Sequence, residues 1–396
     1  MELLKISHFG PVKDLNVEIL PLTVFIGTQG CGKSTVSKVL TICRDMSWIL
    51  RLLNVADNLK APFSKFCIDE FFYDDTVIRY EAENEIAHYI ITYENGKFGI
   101  DVLEISRADM ATRIHNFLLQ SNKALLTQLG VTDLNDASVQ EKYGEIINSN
   151  ARTILYVPAE RNLAGSLSAS LASMLAARVP LYDALIEYMS VFEKAKNALR
   201  EYHVPFLNAD FVIKDGKERI RVVDTFDKQE RLLPLQACSS GLQSVLPLVM
   251  VIDYALQIGC FDAFVIEEPE QNLYPTNQRE LIQFLLNRID RVSNTIITTH
   301  SPYVLSCLNV MLMAWRIANE FQDGAKVLAE NYNGVYFGDQ MISVYALDPD
   351  ADRYCKSLID EKTHLIGVNG LDAVSEIIGD DYDRLYRLYL KLKRGK

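Results

Sequence analysis

Gly27-Thr28-Gln29-Gly30-Cys31-Gly32-Lys33-Ser34-Thr35 is the stretch on which the reading of this chain turns. It is a complete G-x-x-x-x-G-K-[ST] loop, entered from the apolar run LTVFI at 22–26. After it, Val36, Val39, Leu40, Cys43, Met46, Ile49, Leu50, Leu53 and Leu59 recur at helical spacing, which predicts a helix over 36–59. Strand, glycine loop and helix in that order are what phosphate binding needs. The glycines let the backbone wrap closely round a phosphate, and the N–H groups at the helix start face its charge. Gly27 to Thr35 are therefore the expected nucleotide-binding residues, with Lys33 reaching the β- and γ-phosphates and Ser34 ligating Mg²⁺. No NKxD-type guanine reader follows, so ATP is expected rather than GTP.

Upstream, ELLKISH and LNVEIL read as strands round the Gly10-Pro11 turn. Downstream, VIRYE, IAHYIITYE and KFGIDVLEI read as strands, the last two joined by the hairpin signal Asn95-Gly96. Residues 107–150 read as mainly helical, and ARTILYVP (151–158) as a buried strand. A helical block spans Ser166 to Tyr202, broken at Pro180, its 3,4 repeat too short for a coiled coil. FVIKDG and RIRVVDTF form a hairpin round Asp215-Gly216, and GVYFG and ISVYAL read as strands in the tail.

Three further stretches carry chemistry. Ala263 to Glu268 is an apolar strand ending in two carboxylates, suited to hold a metal's hydration shell (Glu267) and to orient or deprotonate an attacking water (Glu268). His300 closes the run Thr295–Thr299, at the strand end where ligands of parallel sheets bind and where a γ-phosphate could be sensed. Ser239-Ser240-Gly241-Leu242-Gln243-Ser244 opens a helix with serine caps and exposed N–H groups, an anion site that its own chain need not use.

Composition bounds the rest. The 396 residues are 49% hydrophobic and 23% charged with a net charge of −12, which excludes disorder and an all-round nucleic-acid magnet. Seven scattered cysteines without a CxxC pair point to a reducing cytoplasm and no zinc. The N-terminus has no signal-peptide core, and the uncharged stretch Leu232–Ile252, broken by Pro234 and Pro247, reads as too polar to span a bilayer.

The order of these motifs resembles ABC-type ATPase heads of the RecF, SMC and OLD branch, through ISHFGPVKDLNVEI, GTQGCGKST, YVPAERN, IEEPEQNLYP and TTHSPYVL, over Glu2 to about Asn309. That resemblance implies an α/β fold with a mixed and parallel sheet core, an antiparallel β subdomain and a helical insertion. It implies lobe I at 1–158, the insertion with a β-hairpin at 159–235, signature helix, second motif and His switch at 236–309, and an α/β tail at 310–396. By the same resemblance Lys33, Glu268 and His300 are catalytic, Ser34 and Glu267 serve Mg²⁺, and Ser239, Ser240, Gly241 and Gln243 contact the ATP of a second protomer. Glu160 and Arg161 stand where a lobe-linking glutamine is usual. The implied function is an ATPase forming head-to-tail dimers that acts as a nucleotide-dependent switch in a bacterial antiphage complex, like the standalone ATPases of PARIS-type systems, with a separate effector such as a nuclease. The alternative is a RecF-like DNA-binding repair ATPase. Against it, Lys214 to Arg231 has six basic and five acidic residues, a mixed surface rather than a clamp. The aspartates of LDPDAD (347–352) read as a solvated turn, so no nuclease activity of its own is expected.

Overall fold

The computed structural model describes residues 1–54, 58–121, 154–167, 181–224, 227–259, 261, 263–289, 294–367 and 380–387. Its elements, in chain order, are β1 (Glu2–Phe9), β2 (Val12–Glu18), β3 (Leu22–Gly27), α1 (Lys33–Cys43), α2 (Met46–Leu53), α3 (Ala61–Lys65), β4 (Phe72–Glu83), β5 (His88–Glu94), β6 (Lys97–Leu103) and α4 (Arg107–Ser121). After these come β7 (Ile154–Val157), α5 (Asn162–Leu167), α6 (Asp183–Ala198), β8 (Glu201–Val204), β9 (Ala209–Lys214), β10 (Lys217–Val223), β11 (Glu230–Leu233), α7 (Ser240–Ile258) and β12 (Ala263–Glu267). Then follow α8 (Pro275–Arg288), β13 (Asn294–Thr299), α9 (Pro302–Glu320), α10 (Gly324–Asn331), β14 (Ile342–Leu347) and β15 (Cys355–Ser357).

Three sheets organise them. The central one runs β15-β14-β3-β13-β12-β7, parallel except for the edge strand β15. Its inner strands β3 and β12 are mainly apolar and β13 is buried from Thr295 to Thr299, because helices cover both faces. A five-stranded antiparallel sheet, β2-β1-β4-β5-β6, packs over α1 and α2, and a four-stranded one, β11-β10-β9-β8, packs near α6 and α7. In β2 and β4 inward apolar residues alternate with outward polar ones, as one wet face requires. Asn95 and Gly96 both adopt positive φ, as do Asp215 and Gly216, so each pair makes the two-residue hairpin turn its sequence signals.

Register fixes what the strands deliver. Leu347 pairs with Gly27, Thr299 with Ile26, Glu267 with Thr298, and Val157 with Ile266. Five parallel strands thus end side by side, and everything following them converges on one edge.

Several expectations need correction. The helix read over 36–59 is two helices. Asp45 adopts extended backbone and caps α2, accepting from Ser47 N–H at 2.9 Å, while Arg44 turns back to clamp Glu2 with two bonds of 2.7 Å. The apolar spacing runs across this break, because both helices bury the same side against the antiparallel sheet. The block read through Tyr202 ends at Ala198. Tyr202 lies in β8, its hydroxyl on Asp253 at 2.5 Å, because pairing with β9 takes over from the helix. GVYFG (334–338) is irregular, since Phe337 buries itself against α9 without a strand partner. The boundary at 310 falls inside α9, and β14 sits beside β3, so the tail completes the central sheet rather than forming a separate unit. Of the helix read over 107–150, only Arg107–Ser121 lies within the described residues, and Pro180 lies outside them. Helix α7 is long and apolar enough to cross a membrane by length and composition, with mean hydropathy 1.4, but its sides are taken by packing in the core.

Candidate functional site

The loop after β3 is shaped as its glycines demand. Gly27, Gly30 and Gly32 all take positive φ, and Gly32 at +100° forms the cap of α1. A Cβ at Gly32 would meet the Tyr354 hydroxyl at 2.6 Å, and one at Gly27 the Leu347 carbonyl at 2.2 Å, so neither tolerates a side chain. Thr28, Gln29 and Gly30 form the exposed tip, whereas Cys31, Gly32, Lys33 and Thr35 are buried and Ser34 is half-buried. The Lys33 ammonium donates to the carbonyls of Gly27 at 3.0 Å and Thr28 at 2.9 Å. Burial lowers its pKa, opposed by the nearby Cys31, Glu268 and Glu270. Its position at the mouth of the loop, with open backbone round Gly30, fits a phosphate chain.

Beneath the loop, Glu267 is 3% exposed and accepts from Ser37 Oγ at 2.9 Å, one helical turn past Ser34. Burial raises its pKa, and the Lys38 charge and the Ser37 hydroxyl pull it back. A buried carboxylate one turn from Ser34 suits a divalent cation, whose charge would keep it ionised.

Glu268 adopts φ +42°, rare for a residue with a side chain, and its N–H donates to the Thr298 carbonyl at 2.8 Å. This turn aims its carboxylate at His300, with Nε2 3.3 Å from Oε1. The histidine holds the Glu268 carboxyl below its ordinary pKa, against a smaller desolvation effect. Lys33, Glu267, Glu268 and His300, 267 residues apart in the chain, thus share one sheet edge.

Arg161 turns inward beneath the strand ends. Its guanidinium is fully buried behind the site, donating to the carbonyls of Glu267 at 2.7 Å, Glu268 at 2.6 Å, Pro158 at 3.3 Å and Pro269 at 3.1 Å. It grips the backbone that presents the two carboxylates. Glu160 is exposed and accepts from the Tyr182 hydroxyl at 2.7 Å.

The helix start at 239–244 divides in two. Ser239 and Ser240 are exposed, Ser239 Oγ accepting from Leu242 N–H at 3.3 Å. Gly241 is buried so tightly that a Cβ would meet the Asn272 carbonyl at 2.9 Å, which links this helix start to the turn after Glu268. Gln243 turns inward, its amide donating to the carbonyls of Cys238 at 2.8 Å and Gln236 at 3.2 Å, so it closes its own turn.

Some members of the site carry weaker sequence signals. Ser37 lies one turn past Ser34, and Glu270 is a third carboxylate in the phrase EEPE. Tyr354, beyond the expected core, bonds the Cys31 carbonyl. The same β14–β15 connection exposes Asp348, Asp350 and Asp352, and Lys13 reaches across to the Pro349 carbonyl. Among the described residues no group of three or more His, Cys, Asp or Glu could hold a metal ion.

Residues 146–306 match the family described as an AAA domain, putative AbiEii toxin, of a type IV toxin–antitoxin system. The chain is also 24% identical over 333 residues to an OLD nuclease of Thermus scotoductus (strain ATCC 700910 / SA-01). That alignment takes in 76% of this chain, which spans 58% of the relative's length. Among solved structures, the chain is similar to an SMC head bound to the C-winged helix domain of ScpA, with a TM-score of 0.41 and 12% identity, over 91% of this chain and 98% of that one. The SMC head with an extended coiled coil bound to the C-terminal domain of ScpA, from Pyrococcus furiosus, gives 0.39 and 13% over 96% and 100%.

Proposed function

We propose that the chain hydrolyses ATP to ADP and phosphate at the loop–carboxylate edge, in a site completed by a second copy. The observation that carries this is the pairing of Glu268 with His300 beside Lys33. Lys33 and the loop N–H groups would bind the phosphates. Glu268, kept ionised by His300, would orient water and take its proton as the water oxygen bonds to the γ-phosphorus and the bridging P–O bond to ADP breaks. His300, half-exposed, would face the γ-phosphate. Mg²⁺, where bound, would be held by Ser34 and, through water, Glu267, and would neutralise charge developing on the phosphates.

The trans contribution rests on Ser239 and Ser240, exposed at the start of the 19-residue helix α7, whose first N–H groups suit an anion. Such a shared site couples nucleotide state to the association of two heads. In a bacterial antiphage complex this would license a separate effector such as a nuclease. The repair-clamp reading has less support, because Arg221 pairs with Asp210 and Glu201, and Arg231 with Asp224 and Asp227. Mixing Lys33→Ala and Ser240→Arg protomers tests the shared site. Each variant alone should be inactive, and heterodimers should regain one working site. A mixture as inactive as its parents, with heterodimers demonstrably present, refutes the sharing.

A further inference from the structure

We propose that Glu270 is a positioning residue, the clamp that holds the strand end carrying His300 in register with Glu268. This deepens the hydrolysis reading above and rests on it. Glu270 is 7% exposed, and its Oε1 accepts two bonds from the neighbouring strand end, from Thr299 Oγ1 at 2.6 Å and from the backbone N–H of His300 at 2.9 Å. Thr299 Oγ1 in turn accepts from Ser301 N–H at 3.0 Å, and Ser301 Oγ accepts from Tyr303 N–H at 3.1 Å while donating to Gln278 at 2.6 Å. One carboxylate thus sets the whole turn from Thr299 to the start of α9.

The geometry explains why that matters for His300. Beyond the last paired residues, Glu267 and Thr298, three hydrogen bonds lace the two strand ends. Glu268 N–H meets the Thr298 carbonyl, and the Glu270 carboxylate meets Thr299 Oγ1 and His300 N–H. The Nε2–Oε1 approach of 3.3 Å depends on these bonds. A misplacement of about 1 Å at a reacting group can cost about a hundredfold in rate, so the clamp is worth more to turnover than to nucleotide affinity. The second oxygen, Oε2, is buried without a hydrogen-bond partner, so both of the carboxyl's bonds go to this turn. A purely structural carboxylate would affect stability and leave the His300–Glu268 pair alone.

The experiment compares Glu270→Ala, which deletes the acceptor, Glu270→Asp, which keeps the charge but shortens the reach, and Glu270→Gln, which keeps an acceptor oxygen at the same length. Two readouts are taken: steady-state ATP turnover, and the NMR signal of the His300 Cε1 proton, assigned by its loss in His300→Ala. Glu268→Gln marks where that signal moves when the pair is altered. Glu270→Ala and Glu270→Asp should move the His300 signal in the same direction, and lower kcat by about tenfold or more with KM for ATP within about twofold. Glu270→Gln should restore both to within about threefold of wild type. If Glu270→Ala fails to fold, Glu270→Asp carries the test. An unmoved His300 signal with near-normal kcat overturns the clamp, as does a KM that rises in step with falling kcat. Absence of turnover in the wild type would instead refute the hydrolysis reading, and the NMR comparison would still decide the clamp.

Discussion

Replacing Arg161 with Met should damage the protein more than any change at the exposed face of the site. The guanidinium, 0% exposed, donates four bonds to backbone carbonyls, three of them from consecutive residues 267–269. Hydrogen bonds from a charged group are worth about 1.5–3 kcal/mol each, a gross loss of about 6–12 kcal/mol. Against this stands the desolvation of the cation, which costs several kcal/mol and is relieved by Met. Burial pulls the Arg161 pKa down, with Tyr188, Glu270, Glu268 and Glu267 opposing it, so that cost is present in this protein. The net expectation is a destabilisation of about 3–5 kcal/mol, the range for stranding buried polar groups in a network. With a urea slope of about 2–3 kcal/mol per molar, the unfolding midpoint followed by circular dichroism should fall by about 1–2 M. Turnover should fall too, because Arg161 also holds the Glu268 carbonyl while that residue sits at φ +42°, a conformation costing about 1–3 kcal/mol unless its surroundings enforce it. A variant unfolding within about 0.2 M of wild type would show that these carbonyls find other partners, and would refute the reasoning.

Two further outcomes follow from the same geometry. His300 is the largest cause of the lowered Glu268 pKa, so His300→Asn should let that carboxyl rise toward its ordinary 4.5. Because the ionised form is the active one, the acid limb of the kcat profile should move to higher pH. By linkage, the stability this carboxylate contributes is fully present above its ordinary pKa and is lost as pH falls through the lowered value, so the variant should lack that contribution at neutral pH and lose less stability than wild type on acidification. An unchanged acid limb in a pH–rate series would count against the pairing. Gly241→Ala places a Cβ 2.9 Å from the Asn272 carbonyl, forcing α7 and the turn after Glu268 apart, and should cost about 1–3 kcal/mol in thermal or urea unfolding. A variant as stable as wild type would mean the helix start is looser than it looks.

Much of the fold was legible because its signals are local. The glycine loop, the carboxylate pair and the strand-end histidine each announce themselves within ten residues, and the mainly apolar runs at β3 and β12 mark strands buried on both faces. What escaped depends on long-range contact. Arg161 reads from the sequence only as standing where a lobe-linking residue is usual, and its grip on the Glu267–Pro269 carbonyls emerges when β7 pairs with β12. Glu270 shows its role only through His300, 30 residues on, and β14 belongs to the sheet through pairing with a strand more than three hundred residues earlier. The break at Asp45 escaped because apolar periodicity reports which side is buried, whereas a cap reports where the helix restarts.

The central claim is that Glu268 is the base of an ATP-hydrolysing site built round Lys33 and His300. Phosphate release and ATP binding by Glu268→Gln, measured beside the wild type with Mg²⁺, test it most directly. The account predicts wild-type turnover, a loss of about a hundredfold or more in the variant as expected for removal of a general base, and ATP affinity within about threefold. Near-normal hydrolysis by the variant, or ATP binding lost along with turnover, would contradict it.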